Sequence, residues 1–312
     1  MGSITDIPGI RVGHATHPME NTGCTVILPE KPAVAGVDIR GSAPGTRETD
    51  LLRPTFLVQH VHAIMLTGGS AFGLRTADGA MQFLLEHNIG FAANGVVVPV
   101  VPAAVIFDLT PERNPAFPST DMGYEACYNA GRKVREGAIG AGRGATVGKM
   151  LGPDRTMSGG VGSAAVRLPN GLMVGALAVV NALGDVIDPA DGSIVAGARD
   201  ADGTGFADSM TVLREHRGTP PLAGQNTTLA VVATTGRFSR EGVTKIAQMA
   251  QNGLARVIRP AHTMYDGDTV FALSVGDDEA DINLVGELAA ETVAEAIVRA
   301  VRISNAPPSP RR

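Results

Sequence analysis

Short apolar segments separated by glycine-rich turns dominate the first half of the chain. They occupy residues 23–30, 62–69 and 95–109. Each continues for only a few residues before a turn signal, so these segments predict strands with one or two buried faces. Residues 70–90 have apolar positions at helical spacing and predict a helix with Ser70 as its N-cap. A second, less regular helix is predicted at residues 120–137.

The second half carries a longer series of elements. Two strand-like runs, residues 163–170 and 172–188, flank the turn Pro169-Asn170-Gly171 and predict a hairpin. Residues 199–226 are polar and rich in Gly and Pro, and predict a linker. The remaining predicted elements are a strand at 227–234, a helix from Arg240 to Val257 capped by Ser239, a strand at 269–275 and a helix from Ile282 to Ile303.

Three of the predicted helices have a defined inner face. In the first helix the residues expected to pack inward are Leu74, Ala77, Met81, Leu84 and Leu85. In the helix from Arg240 to Val257 the residues expected to pack inward are Val243, Ile246, Ala247, Ala250 and Leu254. In the last helix they are Leu284, Leu288, Ile297, Ala300 and Val301. Strands grouped into sheets, with amphipathic helices able to cover them, indicate a layered α/β protein.

Composition supports a buried core of small side chains. Of the 312 residues, 44% are hydrophobic and 18% are charged, which is ample material for one large or two ordinary domains. The chain contains 39 glycines and no tryptophan, and aromatic residues make up only 4%. Such a composition favours close packing of sheets and helices over large aromatic anchors.

Charge and targeting signals exclude several classes of function. The net charge is −5 with Lys and Arg scattered, so neither a nucleic-acid surface nor a polybasic membrane patch is expected. The N-terminus lacks the features of a signal peptide, and the longest apolar stretch, residues 95–107, contains two prolines and is too short for a bilayer. Cys24 and Cys127 have no metal-type spacing and fit a reducing compartment. We therefore expect a cytoplasmic protein.

Common catalytic and ligand motifs fail on inspection. The glycine-rich segment 140–150 places Arg143 where a phosphate-binding loop needs glycine, and Met150 follows Lys149 where Ser or Thr is needed. The histidines are scattered, and no Gly-x-Ser-x-Gly elbow occurs. No metal or cofactor is predicted. Lys149 stands out as a cation in an apolar turn, although an ordinary surface lysine is an equally good interpretation.

Thr227 lies where the predicted linker meets a predicted buried strand. A hydroxyl is a poor nucleophile at neutral pH unless a base accepts its proton, and the α-amine of an N-terminal threonine is such a base. Self-cleavage before Thr227 would create that terminus in mid-chain. A plain strand start remains the alternative, because threonine favours strands.

Three further polar residues occupy informative positions. Asp266 and Asp268 flank a glycine just before a strand, either as an ordinary turn or as two carboxylates that converge on the amine and hydroxyl of Thr227. Asn181 ends an apolar strand, where its amide could donate to a developing oxyanion.

Taken together, these segments resemble one family. Its motifs are matched in order at residues 4–16, 66–74, 98–109, 144–152, 179–186, 226–234 and 262–274. They resemble those of the P1 (DmpA-type) peptidase family, and within it the nylon-oligomer hydrolases, which cut 6-aminohexanoate oligomers. The resemblance implies a four-layer αββα sandwich, similar to N-terminal-nucleophile hydrolases, in a single domain. It also implies self-cleavage into a larger subunit (1–226) and a smaller one (227–312) that stay together, a homotetramer, and no cofactor.

The resemblance also implies roles by position. The cut would fall between Asn226 and Thr227, with Thr227 as nucleophile and its amine as base. Asn181 matches the oxyanion asparagine, Lys149 an active-site lysine, and Asp266 with Asp268 the acidic pair of the nylon-hydrolase branch.

Characterised branches of the family also use a tyrosine. The expected position offers Phe107, which leaves Tyr124 and Tyr265 as candidates for that contact.

The predicted activity is hydrolysis of small linear amides such as 6-aminohexanoate oligomers. Three alternatives stay open. They are an aminopeptidase that releases N-terminal D- or β-amino acids from short peptides, an acyltransferase with the same nucleophile, and a non-enzymatic binding protein.

Overall fold

The computed structural model describes residues 2–109, 116–215 and 226–307. Within them the strands are, in chain order, β1 (Ile10–Thr16), β2 (Gly23–Pro29), β3 (Ala33–Ile39), β4 (Thr46–Arg47), β5 (His60–Val61), β6 (Ile64–Thr67), β7 (Phe91–Ala93), β8 (Val96–Val98), β9 (Ala103–Val105), β10 (Thr146–Val147), β11 (Met157–Ser158), β12 (Gly160–Arg167), β13 (Met173–Asn181), β14 (Asp185–Ile187), β15 (Ile194–Ala196), β16 (Thr227–Gly236), β17 (Ile258–Arg259) and β18 (Thr269–Asp278). The α-helices are α1 (Thr76–Glu86), α2 (Thr120–Tyr128), α3 (Ser209–Glu215), α4 (Arg240–Val257) and α5 (Ile282–Ser304).

Two sheets form the centre of the molecule. The first has five strands in the order β1-β2-β6-β9-β4, and the second has six in the order β12-β13-β16-β18-β3-β5. In the second sheet β12, β13 and β16 are antiparallel neighbours, whereas β16 and β18 run parallel. The helix α4 lies between β16 and β18 in the chain, as a parallel connection requires.

Side-chain alternation divides the core into layers. On β13, Leu177 and Val179 face the first sheet, whereas Ala178 and Val180 belong to the cluster that packs against α4 and α5. The outer face of the first sheet is covered by α1 and α2. The order helix, sheet, sheet, helix is the four-layer αββα sandwich expected from the resemblance.

The close approach of α1 and α2 requires glycine at two positions. Gly79 of α1 lies against the backbone of α2, and Gly123 of α2 lies against the backbone of α1. A Cβ at Gly79 would stand 1.9 Å from Thr120 O, and one at Gly123 would stand 1.9 Å from Thr76 O. Any side chain at either position would force the helices apart, because these contacts are with backbone atoms.

Several predicted elements are confirmed. The hairpin is formed by β12 and β13, with the turn at residues 168–172 between them. The α4 helix spans Arg240–Val257, and the Ser239 hydroxyl caps it by accepting a hydrogen bond from Gly242 N at 3.3 Å.

Other details of the prediction are wrong. Ser70 is not an N-cap, because residues Ser70–Arg75 form a 3-10 helix and α1 begins only at Thr76. The second helix ends at Tyr128 rather than near residue 137. Leu85 and Leu284 are 53% and 42% exposed instead of buried, since the helical stripes are narrower than the spacing indicated.

The predicted linker at residues 199–226 is also only partly irregular. Its described part includes the α3 helix, Ser209–Glu215, whose first residue is anchored by Asp185. Residues 216–225 lie outside the described part of the chain. Among the described residues, no helix is both long and apolar enough to cross a membrane.

Candidate active site

Strand register brings the candidate residues together at one end of the central strands of the six-stranded sheet. Antiparallel pairing places Asn181 directly opposite Thr227. On the other side of β16, parallel pairing sets Leu229 opposite Thr269, and a bridge joins Asn226 to Asp266. The same offset places Gly267 next to Thr227.

The Thr227 side chain belongs to the face between the two sheets. Leu229, two residues further along β16, packs in that layer, and alternation puts Thr227 on the same side. A Cβ on Gly267 would lie 2.7 Å from Thr227 Oγ1 and 2.8 Å from Ala43 O. The absence of a side chain at Gly267 therefore makes room for the Thr227 hydroxyl, and Thr227 is only 5% exposed.

The carbonyl group before Thr227 is held from two directions. The Thr227 hydroxyl donates to Asn226 O across 2.5 Å. The Gly267 backbone N–H donates to the same oxygen across 2.9 Å. This carbonyl belongs to the peptide bond at which the sequence predicts self-cleavage.

Asn181 connects the nucleophile strand to Lys149. Its Oδ1 accepts hydrogen bonds from Lys149 Nζ at 2.7 Å and from Thr146 N at 3.0 Å. Its Nδ2 donates to Phe107 O at 3.1 Å, on the segment that follows β9 of the other sheet. The amide is fully buried, and its orientation is fixed by contacts with residues 146–149 on one side and with the segment after β9 on the other.

The two aspartates have separate hydrogen-bond partners. Asp266 Oδ2 accepts from Thr263 N at 2.8 Å and from Thr263 Oγ1 at 2.6 Å. Asp268 Oδ1 accepts from Thr228 N at 2.7 Å, directly after the candidate nucleophile. Both carboxylates are 2% exposed and lie within the segment that borders Thr227.

Burial moves the pKa values of Lys149 and Asp266 toward neutrality. Burial lowers the pKa of Lys149 to about 7, and the nearby charges of Asp266 and Asp108 oppose that change. Burial, together with the charge of Asp268, raises the pKa of Asp266 to about 6. Shifts toward neutrality are typical of catalytic sites, where groups exchange protons near the working pH.

Asp108 is a site residue that the sequence interpretation missed. Burial raises the pKa of its carboxyl to about 6, although Gly69 N donates to Oδ1 at 2.6 Å. It directly follows Phe107 and interacts electrostatically with Lys149. Its position after an apolar strand was the available signal, but nothing in the sequence places that strand end beside Lys149.

A cavity of about 550 Å³ adjoins Lys149 and is lined by Phe107, Asp108, Arg143 and Thr146. A larger cavity of about 860 Å³ lies at the other end of the same strands, next to Met173 and Thr235. Because the smaller cavity contacts the perturbed charges, it is the better candidate for a substrate site.

The two tyrosine candidates lie in different places. Tyr124 donates to Glu86 at 2.7 Å across the surface of α1 and α2, away from Thr227. Tyr265 is half-buried, and its backbone oxygen accepts from Asn226 Nδ2 at 3.3 Å. Of the two, only Tyr265 lies next to the candidate site.

No group of three or more His, Cys, Asp or Glu in the described ranges could hold a metal ion. Cys24 and Cys127 are buried and unpaired.

Comparison with known proteins agrees with this layout. The chain is similar to the l-aminopeptidase d-ala-esterase/amidase of Ochrobactrum anthropi, whose structure is described as a variant of the Ntn hydrolase fold. The TM-score is 0.68 at 19% identity, over 96% of this chain and 85% of the other. The fold is therefore that of an Ntn-hydrolase-like protein.

The sequence identifies the family within that class. Residues 2–308 match the model of peptidase family S58, and the chain belongs to this family. It is 45% identical to an uncharacterized aminopeptidase of Mycobacterium tuberculosis over 88% of this chain and 82% of the relative. It is 33% identical to the 6-aminohexanoate-oligomer endohydrolase of Paenarthrobacter ureafaciens over 89% of this chain and 75% of the relative. The protein is thus a hydrolase of amide or peptide bonds.

The raised pKa of Asp108 predicts a specific pH dependence of stability. Its folded pKa of about 6 lies above the ordinary 3.8, so ionisation opposes folding. Between pH 4 and pH 6 this group should lower the free energy of unfolding as pH rises, by at most ~3 kcal/mol. Asp108→Asn should remove that part of the pH dependence in urea unfolding curves.

The matched control is Asp277→Asn, at an exposed position near the end of β18. It should leave the pH dependence as in the wild type. Parallel wild-type and Asp108→Asn curves across this range would contradict the assigned environment of Asp108.

Proposed function

We propose that this protein cleaves its own chain between Asn226 and Thr227 and then uses Thr227 as an N-terminal nucleophile to hydrolyse small linear amides. The observation that carries the proposal is the pair of contacts on Asn226 O. The Thr227 hydroxyl lies 2.5 Å from this oxygen, and the Gly267 N–H donates to it. A candidate nucleophile and a candidate oxyanion donor thus contact the same carbonyl group.

Self-cleavage requires an acyl shift followed by hydrolysis. Thr227 Oγ1 attacks the Asn226 carbonyl carbon while the Gly267 N–H supports the negative charge on the oxygen. The C–N bond then breaks, and the hydroxyl proton passes to the Thr227 nitrogen, which becomes an amine. Water hydrolyses the resulting ester and releases the Asn226 carboxylate and the free hydroxyl.

Turnover uses the amine formed in that step. The amine accepts the Oγ1 proton as the hydroxyl attacks the substrate carbonyl, and it then protonates the leaving amine. Asn181 is assigned as the oxyanion donor, and its register position opposite Thr227 supports that assignment. Water, activated by the same amine, hydrolyses the acyl-enzyme.

Lys149 and the two aspartates set the charge of the site. Lys149 donates a hydrogen bond to Asn181 Oδ1 and so fixes which end of the amide is the acceptor. The Nδ2 end is therefore the hydrogen-bond donor. Asp268 fixes the peptide N–H after the nucleophile, and Asp266 contributes negative charge that favours a protonated amine. No cofactor enters this mechanism.

Substrate choice leaves two candidates of the same chemistry. The Asp266-Gly267-Asp268 segment resembles the nylon-hydrolase branch, and the 33% identical relative is named for 6-aminohexanoate oligomers. The second candidate is an aminopeptidase acting on short peptides with N-terminal D- or β-residues. It is favoured by the higher identity, 45%, to a protein named as an aminopeptidase. Homotetramer assembly stays a prediction of the resemblance, and cytoplasmic location stays a prediction of the sequence analysis.

Removal of the Thr227 hydroxyl should abolish both reactions. Denaturing gels of the wild type should show two bands, for residues 1–226 and 227–312, and N-terminal sequencing of the smaller band should begin Thr-Thr-Leu. Thr227→Ala should give one uncut, inactive chain, while the matched variant Thr227→Ser, which keeps a hydroxyl, should still be cut. Two bands or amide hydrolysis from Thr227→Ala would rule the assignment out.

A side chain at Gly267 should slow self-cleavage. In Gly267→Ala the new Cβ would meet Thr227 Oγ1 and Ala43 O at less than 3 Å, so the hydroxyl must move. Displacement of a reacting atom by a fraction of an ångström predicts a ~10- to 100-fold slower cut, followed on gels over time. Gly131→Ala is the control, because its Cβ would meet nothing within 4 Å. An unchanged rate in Gly267→Ala would place the reactive hydroxyl elsewhere.

Product analysis separates the two substrate classes. Mass spectrometry of wild-type reactions should show internal cuts in 6-aminohexanoate oligomers if the endo-amidase interpretation holds. Release of single N-terminal residues from D- or β-peptides, with no internal cuts in the oligomers, would favour the aminopeptidase. Thr227→Ala serves as the blank for both.

A further inference from the structure

The two carboxylate oxygens of Asp268 have different hydrogen-bond partners. Oδ1 accepts from Thr228 N at 2.7 Å, next to the candidate nucleophile. Oδ2 accepts from the backbone N of His262 at 3.0 Å and interacts with His262 Nδ1 at 2.9 Å. Because Asp268 is 2% exposed, rotation of the carboxylate would leave buried donors without partners.

His262 is held in a conformation that suits this double contact. Its φ of +56° lies in the left-handed region, which few non-glycine residues adopt but in which histidine and asparagine are enriched. The residue lies on the segment between β17 and β18, six positions before Asp268. Sparsely populated backbone conformations cluster at active sites and ligand clamps, and this one lies beside the candidate site.

The charges around His262 strengthen the contact. Burial lowers the pKa of its ring, but the hydrogen bond and charge of Asp268 outweigh burial, so that the net pKa is raised. The Gln251 carbonyl on α4 adds to the increase, and Arg40, which follows β3, opposes it. Asp266 also faces the ring electrostatically. A protonated ring makes the bond to Asp268 charge-assisted and therefore stronger than a neutral one.

We propose that His262 is a positioning residue for the reaction of Thr227: it holds Oδ2 of Asp268 so that Oδ1 stays on the Thr228 N–H and keeps the nucleophile oriented. This inference rests on the proposed function, since it requires Thr227 to be the nucleophile. His262 itself acts through Asp268 and needs no contact with the substrate.

Three substitutions at position 262 separate the ring donor from the backbone conformation. His262→Asn keeps tolerance of the left-handed region and places Nδ2 near the former Nδ1. His262→Gly tolerates that region without any side-chain donor, whereas His262→Ala lacks the donor and is strained there. Because Gly loosens the backbone and Ala strains it, a loss common to both reports on the missing donor. If one of them does not fold, the other decides.

The readouts are the rate of self-cleavage and the separate values of kcat and KM on a small amide substrate. His262→Gly and His262→Ala should lower kcat ~10- to 100-fold with KM nearly unchanged, since the substrate is still bound but the nucleophile is misaligned. His262→Asn should restore kcat to within ~3-fold of the wild type. In a double-mutant cycle, adding His262→Gly to Asp268→Asn should cost little beyond Asp268→Asn alone.

Several outcomes would overturn the proposal. A role through Asp268 is excluded if the donor-free variants keep the wild-type kcat, or if His262→Asn and His262→Gly lower kcat equally. It is also excluded if the effects of His262→Gly and Asp268→Asn on kcat are additive. His60→Asn, at an exposed histidine of β5, is the control and should match the wild type. An active Thr227→Ala would instead defeat the proposed function, so the two failures are distinguishable.

Discussion

The parallel pairing of β16 with β18 is the constraint on which the site depends. With Leu229 opposite Thr269, the chain segments that precede the two strands meet residue by residue, so Asp266, Gly267 and Asp268 border Asn226, Thr227 and Thr228. A slip of one residue would turn every side chain to the other face and place a carboxylate against the Thr227 hydroxyl. The buried apolar residues further along both strands hold the register, because Val231 and Phe271 fill the space between the sheets.

The gap between the two sheets gives the polar residues their unusual properties. Lys149 and Asn181 are held at the point where the apolar layer ends and a cavity begins. Burial there disfavours every charge, which brings the pKa values of Lys149 and Asp266 to about 7 and about 6. Groups of opposite sign remain near one another, so each partly offsets the desolvation of the next. In the proposed mechanism these groups set the charge around Thr227, whose amine carries the proton.

Local patterns were sufficient for some residues and insufficient for others. The amphipathic stripe and serine cap of α4 were readable directly, because helix ends and faces depend on neighbours three or four residues away. Asp108 and His262 were not recognised. Asp108 acquires its role from Lys149, which is distant in the chain. His262 acquires its role from a left-handed backbone conformation that brings its ring onto the carboxylate of Asp268, six residues further on, and no sequence pattern indicates that conformation. Ser70 was misread as a cap because a 3-10 turn with a local serine looks like a helix start.

The sequence by itself determined the layered α/β class and the resemblance that singled out Thr227, Asn181, Lys149 and the two aspartates. It also predicted four of the five described α-helices and the strands β2, β6, β12, β13, β16 and β18, but not β1 or β3 of the two central sheets. Those features follow from periodicity and from short ordered motifs, which are local properties of the chain. Only the tertiary structure decided which groups touch. Three contacts depend on strand register and sheet stacking. They are the hydrogen bond from Gly267 N–H to Asn226 O, the hydrogen bond from Lys149 to Asn181, and the hydrogen bonds of the two Asp268 oxygens to Thr228 and His262. Register and stacking are set by long-range burial of apolar side chains, which no local pattern encodes.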